Sequence, residues 1–287
     1  MKFVGIILCM SLLWMAGCQK EPADIHPPIP ETFHPNLAYG TDAKQKMDVY
    51  LPANRSLDTT KSIILIHGGA WIEGDKSDFN DLMDAIKNTL PGWAIFNLNY
   101  RLADTLTATN IFPAQEMDIK KALEFIHAHR TSYQISQKFV LLGASAGAHL
   151  AQLQAYKYDT PIQPKALVSL FGPCNMEDMY YHPASPFIPT HFIQTIVGGT
   201  PSTAPDKYVQ SSPIHFIHAQ SPPTISFQGG LDFLVNPAQQ DSLHAKLDAF
   251  QVINEKVFYP LEGHGWTGDK LLETLNRVQA FLYTHVP

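Results

Sequence analysis

Two segments of the chain, Ile63–Ile66 and Phe139–Leu142, are apolar at every position over the length of a β-strand. A strand with one face in water alternates apolar and polar residues, whereas an unbroken apolar run is typical of a strand buried on both faces of a parallel sheet. Each segment leads through a glycine-containing turn into a stretch with helical periodicity. This order predicts an α/β fold with a mostly parallel central sheet and helices on both of its faces.

The same alternation of strand-length and helix-length segments continues along the chain. The predicted strands are Lys46–Leu51, Ser62–His67, Trp93–Asn99, Phe139–Gly143, Ala166–Phe171, Pro223–Gln228 and Glu255–Tyr259. The predicted helices are Phe79–Thr89, Pro113–His129, Ala146–Tyr156, Asn236–Phe250 and Gly268–His285. Residues 172–222 differ, because prolines interrupt them and only Thr190–Val197 has a helical period. We therefore expect one domain over residues 38–287, in which residues 172–222 form a short cap.

The first residues of the chain have the pattern of an export signal. Lys2 precedes an apolar stretch, residues 3–16, that is shorter than the roughly 20 residues needed to span a bilayer. The tripeptide Ala16-Gly17-Cys18 resembles the lipobox of bacterial lipoproteins. That resemblance implies a signal peptide over residues 1–17 and lipidation of Cys18. The alternative is an ordinary secretory signal that is cleaved at the same place.

Residues 18–37 contain five prolines and few large apolar residues, which is typical of a semi-extended spacer. We interpret them as a tether between a lipidated N-terminus and the domain. The lipobox resemblance then implies a protein of the bacterial cell envelope that is anchored to the membrane by lipid. Its domain would face the periplasm or the cell exterior.

The composition excludes several classes of protein. Hydrophobic residues make up 45% of the chain and charged residues 16%, which indicates a globular protein with a sizeable core. The formal net charge is −6 and no cluster of Lys and Arg could neutralise phosphates, so we expect no nucleic-acid partner. Three cysteines cannot build a disulfide framework. Because no metal-ligand spacing and no dinucleotide-binding glycine motif are present, we expect neither a metal nor a cofactor. The oligomeric state stays open.

The pentapeptide Gly143–Gly147 has the pattern Gly-x-Ser-x-Gly, with Ser145 at its centre. It directly follows the second apolar run, and the predicted helix begins within it at Ala146, directly after Ser145. At a tight strand-to-helix turn small neighbours are required, and the helix N-terminus supplies N–H groups for an oxyanion. We predict that Ser145 is a nucleophile and that the Ala146 amide belongs to an oxyanion hole. The alternative is a turn that is small only for close packing.

A second glycine-containing turn, His67–Trp71, follows the first apolar run. Because the carboxyl ends of parallel strands share one edge of a sheet, this turn and Ser145 are expected at the same edge. Glycines there let backbone N–H groups point at a developing oxyanion, where each donor contributes on the order of 3 kcal/mol. We predict that the amides of Gly69 and Ala70 complete the oxyanion hole. The side chains of His67 and Trp71, at the two ends of the turn, either take part in the site or only pack the loop.

With these two turns the chain resembles the α/β-hydrolase superfamily, and more narrowly its hormone-sensitive-lipase-like esterases, kynurenine formamidases and bacterial feruloyl- and acetyl-esterase-like enzymes. The resemblance runs from roughly Tyr39 to His285. Its carriers are His67–Trp71, Gly74–Lys76, Asn99–Leu102, Asp118 with the helix after it, Gly143–Leu150, Gly229–Val235 and Gly263–Gly265. The chain departs from the family pattern at Ala70, where the lipase-like motif has glycine, and at Asn99, where many members have aspartate. The resemblance implies an α/β-hydrolase fold and a serine esterase activity.

The α/β-hydrolase fold presents its catalytic residues in the order serine, acid, histidine. Asp232 follows a predicted strand through a turn opened by two glycines, which places it at the edge expected for Ser145. Its alternative role is a carboxylate at the start of the next helix. His264 lies between two glycines and, of 13 histidines, is the only one beyond Asp232 in such a loop. We predict a catalytic triad of Ser145, Asp232 and His264.

The expected reaction is hydrolysis of a small-molecule carboxylic ester through an acyl-enzyme intermediate. One alternative is an arylformamidase or peptidase of the same fold, and another is a non-catalytic surface lipoprotein that binds a ligand. Aromatic residues are candidates for lining the pocket, namely Phe171, Tyr180, Tyr181, Phe187 and Phe192. Polar residues among them favour a small pocket with a few hydrogen-bonding groups, namely Asn175, Glu177, Asp178, His182 and His191.

Overall fold

The computed structural model describes residues 27–159 and 161–287. The predicted signal peptide and Cys18 lie outside the described residues. The strands are β1 (Thr32–Ala38), β2 (Lys46–Leu51), β3 (Ser62–Ile66), β4 (Ala94–Leu98), β5 (Phe139–Ala144), β6 (Ala166–Leu170), β7 (Thr224–Gly229) and β8 (Asn254–Tyr259). The helices are α1 (Asn80–Thr89), α2 (Ala114–Ala128), α3 (Arg130–Tyr133), α4 (Ala146–Lys157), α5 (Met176–Tyr181), α6 (Thr190–Val197), α7 (Pro205–Ser211), α8 (Ala238–Ala249) and α9 (Gly268–His285).

Within the described residues the strands form one sheet in the order β1-β2-β4-β3-β5-β6-β7-β8. β2 pairs antiparallel with both β1 and β4, and the other neighbours pair in parallel. The two all-apolar runs become β3 and β5, which are adjacent in the sheet and buried at every residue. The mostly parallel α/β architecture is thus confirmed, and each predicted element agrees with the observed one to within two residues at either end.

Alternate residues of the central strands face two separate layers of the core. Ile64 and Ile66 of β3 pack in a layer with residues of α2, α4 and α8. Ile63 and Leu65 pack in the other layer, with residues of α1 and α9. Helices therefore cover both faces of the sheet. Among the described helices, none combines the length and the apolarity needed to cross a membrane.

The edge strand β1 corrects the predicted end of the tether. The predicted tether spans residues 18–37, but residues 32–38 form β1, which pairs with β2 on both sides of a bulge. The pairing register shifts around Pro35, which lies in a bulge where a missing N–H removes no ladder hydrogen bond. The N–H of Asn36, whose φ is 57°, donates to Asp48 Oδ1 at 2.7 Å. The bulge interrupts the alternation by which a strand is recognised in a sequence.

The cap over residues 172–222 contains more helix than predicted. Helix α6 coincides with the predicted run, whereas α5 and α7 were missed because six or seven residues make no more than two turns and show little periodicity. All three helices bury apolar residues in the layer beside α2 and α4, among them Met179, Ile193 and Tyr208. The cap is therefore part of the hydrophobic core.

Candidate active site

Ser145 lies at the turn between β5 and α4 in a backbone conformation that L-residues rarely adopt, with φ 54° and ψ −123°. A Cβ atom on Gly147 would lie 2.0 Å from the carbonyl oxygen of Ile66, and one on Gly143 would lie 2.3 Å from the Gly147 carbonyl oxygen. The Ser145 N–H donates to the carbonyl of Leu170 at 2.8 Å. The two glycines are therefore required by the close packing that holds this turn.

The three predicted catalytic side chains form a continuous hydrogen-bonded chain. His264 Nε2 lies 2.8 Å from Ser145 Oγ, and His264 Nδ1 lies 2.7 Å from Asp232 Oδ2. They reach one another from the loops that follow β5, β7 and β8 at the carboxyl edge of the sheet. The Asp232 side chain is fully buried and that of His264 is 12% exposed. In a neutral imidazole, Nδ1–H donates to the carboxylate and Nε2 accepts the serine proton.

Four donors hold the Asp232 carboxylate. Oδ1 accepts from the backbone N–H groups of Leu234 at 2.8 Å and Val235 at 2.9 Å. Oδ2 accepts from His264 and, at 2.8 Å, from the side-chain amide of Gln228. Burial raises the pKa of Asp232, but the hydrogen bond and charge of His264 and the two backbone amides outweigh it, so the pKa lies below its usual value. Asp232 is therefore ionised and oriented toward the imidazole.

The ring of Phe171 supports the His264 imidazole from the side. The two ring centroids are 4.7 Å apart at an interplanar angle of 61°. Phe171 in turn contacts the ring of Trp266 at 5.4 Å, and its N–H donates to the carbonyl of Phe227 at 2.7 Å. Gly265, with φ 106°, lets the chain turn directly after the histidine. This aromatic contact limits the directions in which the imidazole can rotate away from Ser145.

The three residues whose amides are predicted to bind the oxyanion, Gly69, Ala70 and Ala146, line the cavity onto which Ser145 opens. We call these three amides the predicted oxyanion hole. Gly69 and Ala70 have positive φ angles of 105° and 49°, and neither N–H donates to a backbone carbonyl of the described residues. Ala146 begins α4, so its N–H has no acceptor within the helix. A Cβ atom on Gly68 would lie 3.2 Å from Ser145 Cβ, which shows how closely the loop approaches the nucleophile.

Tyr100 supports the turn His67–Trp71, which we call the oxyanion loop. Its hydroxyl donates to the carbonyls of His67 at 2.9 Å and Gly68 at 3.1 Å, and its ring stacks on His67 at 4.3 Å. Burial raises the pKa of Tyr100 and lowers the pKa of His67, so the tyrosine stays a donor and the histidine stays neutral. The His67 side chain therefore serves loop packing, and it is not among the residues that line the cavity.

The departure from the family pattern at Asn99 has a structural reason. Its side-chain oxygen accepts from the Lys76 N–H at 2.5 Å, and its amide donates to Asp75 Oδ2 at 2.7 Å. An aspartate could not donate to a second carboxylate. The Lys76 ammonium forms a buried ion pair with Asp48 at 2.8 Å. These contacts brace the segment that follows the oxyanion loop.

The cavity beside Ser145 has a volume of about 550 Å³ and mostly apolar walls. Of the predicted aromatic residues, Phe171, Phe187 and Phe192 line it, whereas Tyr180 and Tyr181 do not. The oxyanion loop, the cap and the loop after β7 contribute further walls, among them Trp71, Met179, Ile188, Pro189 and, from the loop after β7, Leu234. The site can therefore bind a compact apolar group next to the nucleophile.

The expectation that polar cap residues supply hydrogen bonds to the pocket is wrong for four of the five. Only His191 lines the cavity. Asn175 instead accepts from two N–H groups at the start of α5, and Asp178 bonds His182 and Gln239. Sequence alone did not separate these roles, because short helices and their caps use the same polar residues as a binding pocket does.

Sequence reasoning assigned no individual role to Gln228, which contacts Asp232, or to Tyr100, which contacts the oxyanion loop. The signal for Gln228 is an amide side chain near the end of a strand predicted to be buried, where its donor needs a partner. Over residues 27–159 and 161–287 no group of three His, Cys, Asp or Glu side chains is placed to hold a metal ion.

Known proteins resemble this chain in fold and in sequence. It superposes on Thermogutta terrifontis esterase 2 phosphonylated by sarin with a TM-score of 0.73 at 21% identity, covering 88% of this chain and 94% of that one. Esterase LipC of Mycobacterium tuberculosis is 25% identical over 246 residues, which are 80% of this chain and 59% of LipC. Kynurenine formamidase of Meyerozyma guilliermondii is 33% identical over 124 residues, 43% of each chain. The chain thus spans about half the length of the curated relatives it matches.

The structural likeness confirms the α/β-hydrolase fold. The BD-FAE family model matches residues 47–247, a span that contains Ser145 and Asp232 and ends before His264. This span is more than half of the 287 residues. The chain therefore belongs to the BD-FAE family.

Proposed function

We propose that this chain is a serine hydrolase that cleaves small carboxylic esters through an acyl-enzyme intermediate. The observation that carries the proposal is the hydrogen-bonded chain from Asp232 through His264 to Ser145, which ends at a cavity lined by the oxyanion hole. The likeness to esterase LipC supports the same chemistry.

In the first half-reaction, Ser145 Oγ attacks the ester carbonyl carbon while His264 Nε2 accepts the hydroxyl proton. The carbonyl oxygen becomes an oxyanion, and each amide of the oxyanion hole stabilises it by on the order of 3 kcal/mol. Asp232 stabilises the imidazolium that forms. His264 then gives its proton to the alcohol oxygen as the carbon–oxygen bond breaks, which leaves the acyl group on Ser145.

In the second half-reaction, His264 Nε2 takes a proton from water, and the water oxygen attacks the acyl carbon. The oxyanion forms again in the same hole. When the tetrahedral intermediate collapses, Ser145 Oγ leaves and receives the proton from His264. The carboxylic acid departs and the free enzyme is restored.

The test is hydrolysis of p-nitrophenyl acetate by the wild type and by Ser145→Ala. Because the three triad side chains act as a unit, we expect the variant to lose at least about 10⁴-fold in kcat. Its melting temperature should stay close to that of the wild type, since a hydroxyl at the cavity wall is not part of the core. Retention of more than about a tenth of the wild-type rate would refute the proposal.

A second candidate activity is hydrolysis of an aryl formamide. The likeness to a kynurenine formamidase over 43% of the chain favours it. The same triad can cleave an ester bond or a formamide bond, so the relative rates on the two substrates distinguish the two activities. We expect a higher kcat/KM for small esters than for N-formylkynurenine, and the reverse order would make the formamidase the better description.

We further propose that the acyl group of the substrate is short. A lipase needs an extended apolar groove beneath an amphipathic lid that opens at an interface. In this protein each cap helix packs apolar residues into the core, among them Met179, Ile193 and Tyr208, so the cap differs from a lid that lies loosely over a groove. The cap therefore favours a fixed cavity of limited depth.

For the location, we propose that Cys18 is lipidated and that the enzyme is anchored at a bacterial cell envelope. The lipobox-like tripeptide supports this. β1 is antiparallel to β2, and β2 is antiparallel to β4, so β1 begins at the sheet edge opposite to that of Ser145. A tether entering there would direct the cavity away from the membrane. Cys18→Ser should release soluble protein or leave the precursor uncleaved, whereas unchanged fractionation and mass would contradict the proposal.

A further inference from the structure

Gln228 is a buried amide at the end of β7 that takes no part in the mechanism above. Its side chain is 1% exposed. The Nε2 atom lies 2.8 Å from Asp232 Oδ2 and 3.3 Å from the carbonyl oxygen of Gly229. A buried amide in this position requires partners, and it finds one of them on the catalytic acid.

The chemistry of these partners determines which end of the amide faces Asp232. A carboxylate and a backbone carbonyl both accept hydrogen bonds, so the NH₂ group, and not the oxygen, must point toward them. Asp232 Oδ2 also accepts from His264 Nδ1 at 2.7 Å. Gln228 and His264 therefore donate to the same oxygen.

We propose that Gln228 is a positioning residue: its side-chain amide holds Asp232 Oδ2 against His264 Nδ1 and shares the negative charge of that oxygen. This inference rests on the proposed function, because it assigns a role within the same triad. Asp232 Oδ1 is already fixed by two backbone amides. Gln228 fixes the other carboxylate oxygen, Oδ2, which faces the imidazole.

Removal of this donor weakens the positioning of the catalytic histidine. Oδ2 loses one of its two donors, so the carboxylate holds the imidazole less firmly in line with Ser145. Because the imidazole acts in the chemical step, the loss should lower kcat more than it raises KM.

The experiment compares two substitutions at this position. Gln228→Met keeps the length and burial of the side chain but cannot donate. Gln228→Glu has nearly the same shape, and it donates to Asp232 only while its own carboxyl group is protonated. The matched control is Gln240→Met, because Gln240 is 4% exposed and donates to Ser226 on the same strand without touching the triad.

For Gln228→Met we expect kcat for p-nitrophenyl acetate to fall about 10- to 100-fold, with little change in KM. For Gln228→Glu we expect near wild-type kcat at the acid end of the profile. Its activity should then fall as the pH rises, because two adjacent carboxylates repel each other once both are ionised. The Gln240→Met variant should keep the kcat and the pH profile of the wild type.

A kcat for Gln228→Met equal to that of the wild type would overturn the proposal. So would a pH profile of Gln228→Glu that parallels the wild-type profile, and this second variant decides the question if the first does not fold. An equal loss in Gln228→Met and Gln240→Met would also overturn it, because it would indicate a structural role. The wild-type and Ser145→Ala rates test the proposed function separately, so the two failures remain distinguishable.

Discussion

Trp71 Nε1 donates a hydrogen bond to His149 Nδ1 over 3.2 Å, and this contact joins the oxyanion loop to the helix that follows Ser145. Because Nδ1 accepts, Nε2 must carry the proton, which it donates to the carbonyl of Ser211 in the cap at 2.7 Å. One neutral imidazole therefore connects the oxyanion loop, the nucleophile helix and the cap. Burial lowers the pKa of His149 to about 4.

The first prediction follows from this buried histidine. The unfolded chain takes up a proton at this residue near pH 6.5, whereas the folded protein does so only near pH 4. The stabilisation is therefore complete above about pH 6.5 and is lost as the pH falls toward 4, a change of about 3 kcal/mol. Measured by urea unfolding, the wild type should lose about that much more than His149→Gln over this range.

Glutamine can accept from Trp71 and donate to Ser211, so the variant should fold. The exposed His215 provides a control, because His215→Gln should keep the pH dependence of the wild type. If His149→Gln shows the same pH dependence as the wild type, the protein does not bury this imidazole in its neutral form.

The second prediction concerns the oxyanion loop. A Cβ atom on Gly69 would lie 2.1 Å from the carbonyl oxygen of Glu73, at a residue whose φ is 105°. Gly69→Ala should therefore displace the loop and lower kcat at least about 100-fold, the usual effect of losing one oxyanion donor. Gly92→Ala is the matched control, since its φ is 81° and no atom lies within 4 Å of the added Cβ. That variant should show backbone strain of about 1–2 kcal/mol and full activity.

Two results would argue against the assigned role of the loop. One is a Gly69→Ala enzyme that keeps more than about a tenth of its kcat. The other is an equal loss of activity in both glycine variants, which would point to general destabilisation.

The third prediction concerns the exposed ring of Phe187, which lines the cavity and is 78% exposed. Substrate binding should cover this ring in both the ground state and the transition state. Phe187→Ala should therefore raise KM about fivefold, which corresponds to about 1 kcal/mol, and leave kcat nearly unchanged. Tyr181, an exposed aromatic residue of the same cap that does not line the cavity, is the control. A rise in KM for Tyr181→Ala that matches the one for Phe187→Ala would contradict this.

The fourth prediction concerns the length of the acyl chain. In a series of p-nitrophenyl esters, kcat/KM should be highest for acyl groups of about two to four carbons, because the cap packs into the core around a cavity of about 550 Å³. A maximum at about twelve carbons or more, with activation at an oil–water interface, would identify a lipase instead.

The parts of the fold that depend on local pattern were predictable from the sequence. The unbroken apolar run of β3 is typical of a buried strand, and the glycines around Ser145 are typical of a tight strand-to-helix turn. Parallel strands bring their carboxyl ends to one edge, so Asp232 and His264 could be placed beside Ser145 without knowledge of distances. The structure brings these three side chains together.

Other features depend on contacts that no local pattern records. The bulge at Pro35 broke the alternation of β1, and helices of two turns or less in the cap left no clear period. The partner of Gln228 depends on how the turn after β7 folds back, which the sequence does not specify. The polar residues of the cap looked like pocket residues because capping and binding draw on the same side chains.

The most direct test of the central claim is covalent labelling with a fluorophosphonate probe, which reacts with an activated serine. Intact-mass measurement of the wild type should show a single adduct, and peptide mapping should place it on Ser145. Ser145→Ala should stay unlabelled, and His264→Ala should be labelled far more slowly because the hydroxyl has lost its base. An unlabelled wild type, or an adduct on another residue that persists in Ser145→Ala, would contradict the assignment of Ser145 as the nucleophile.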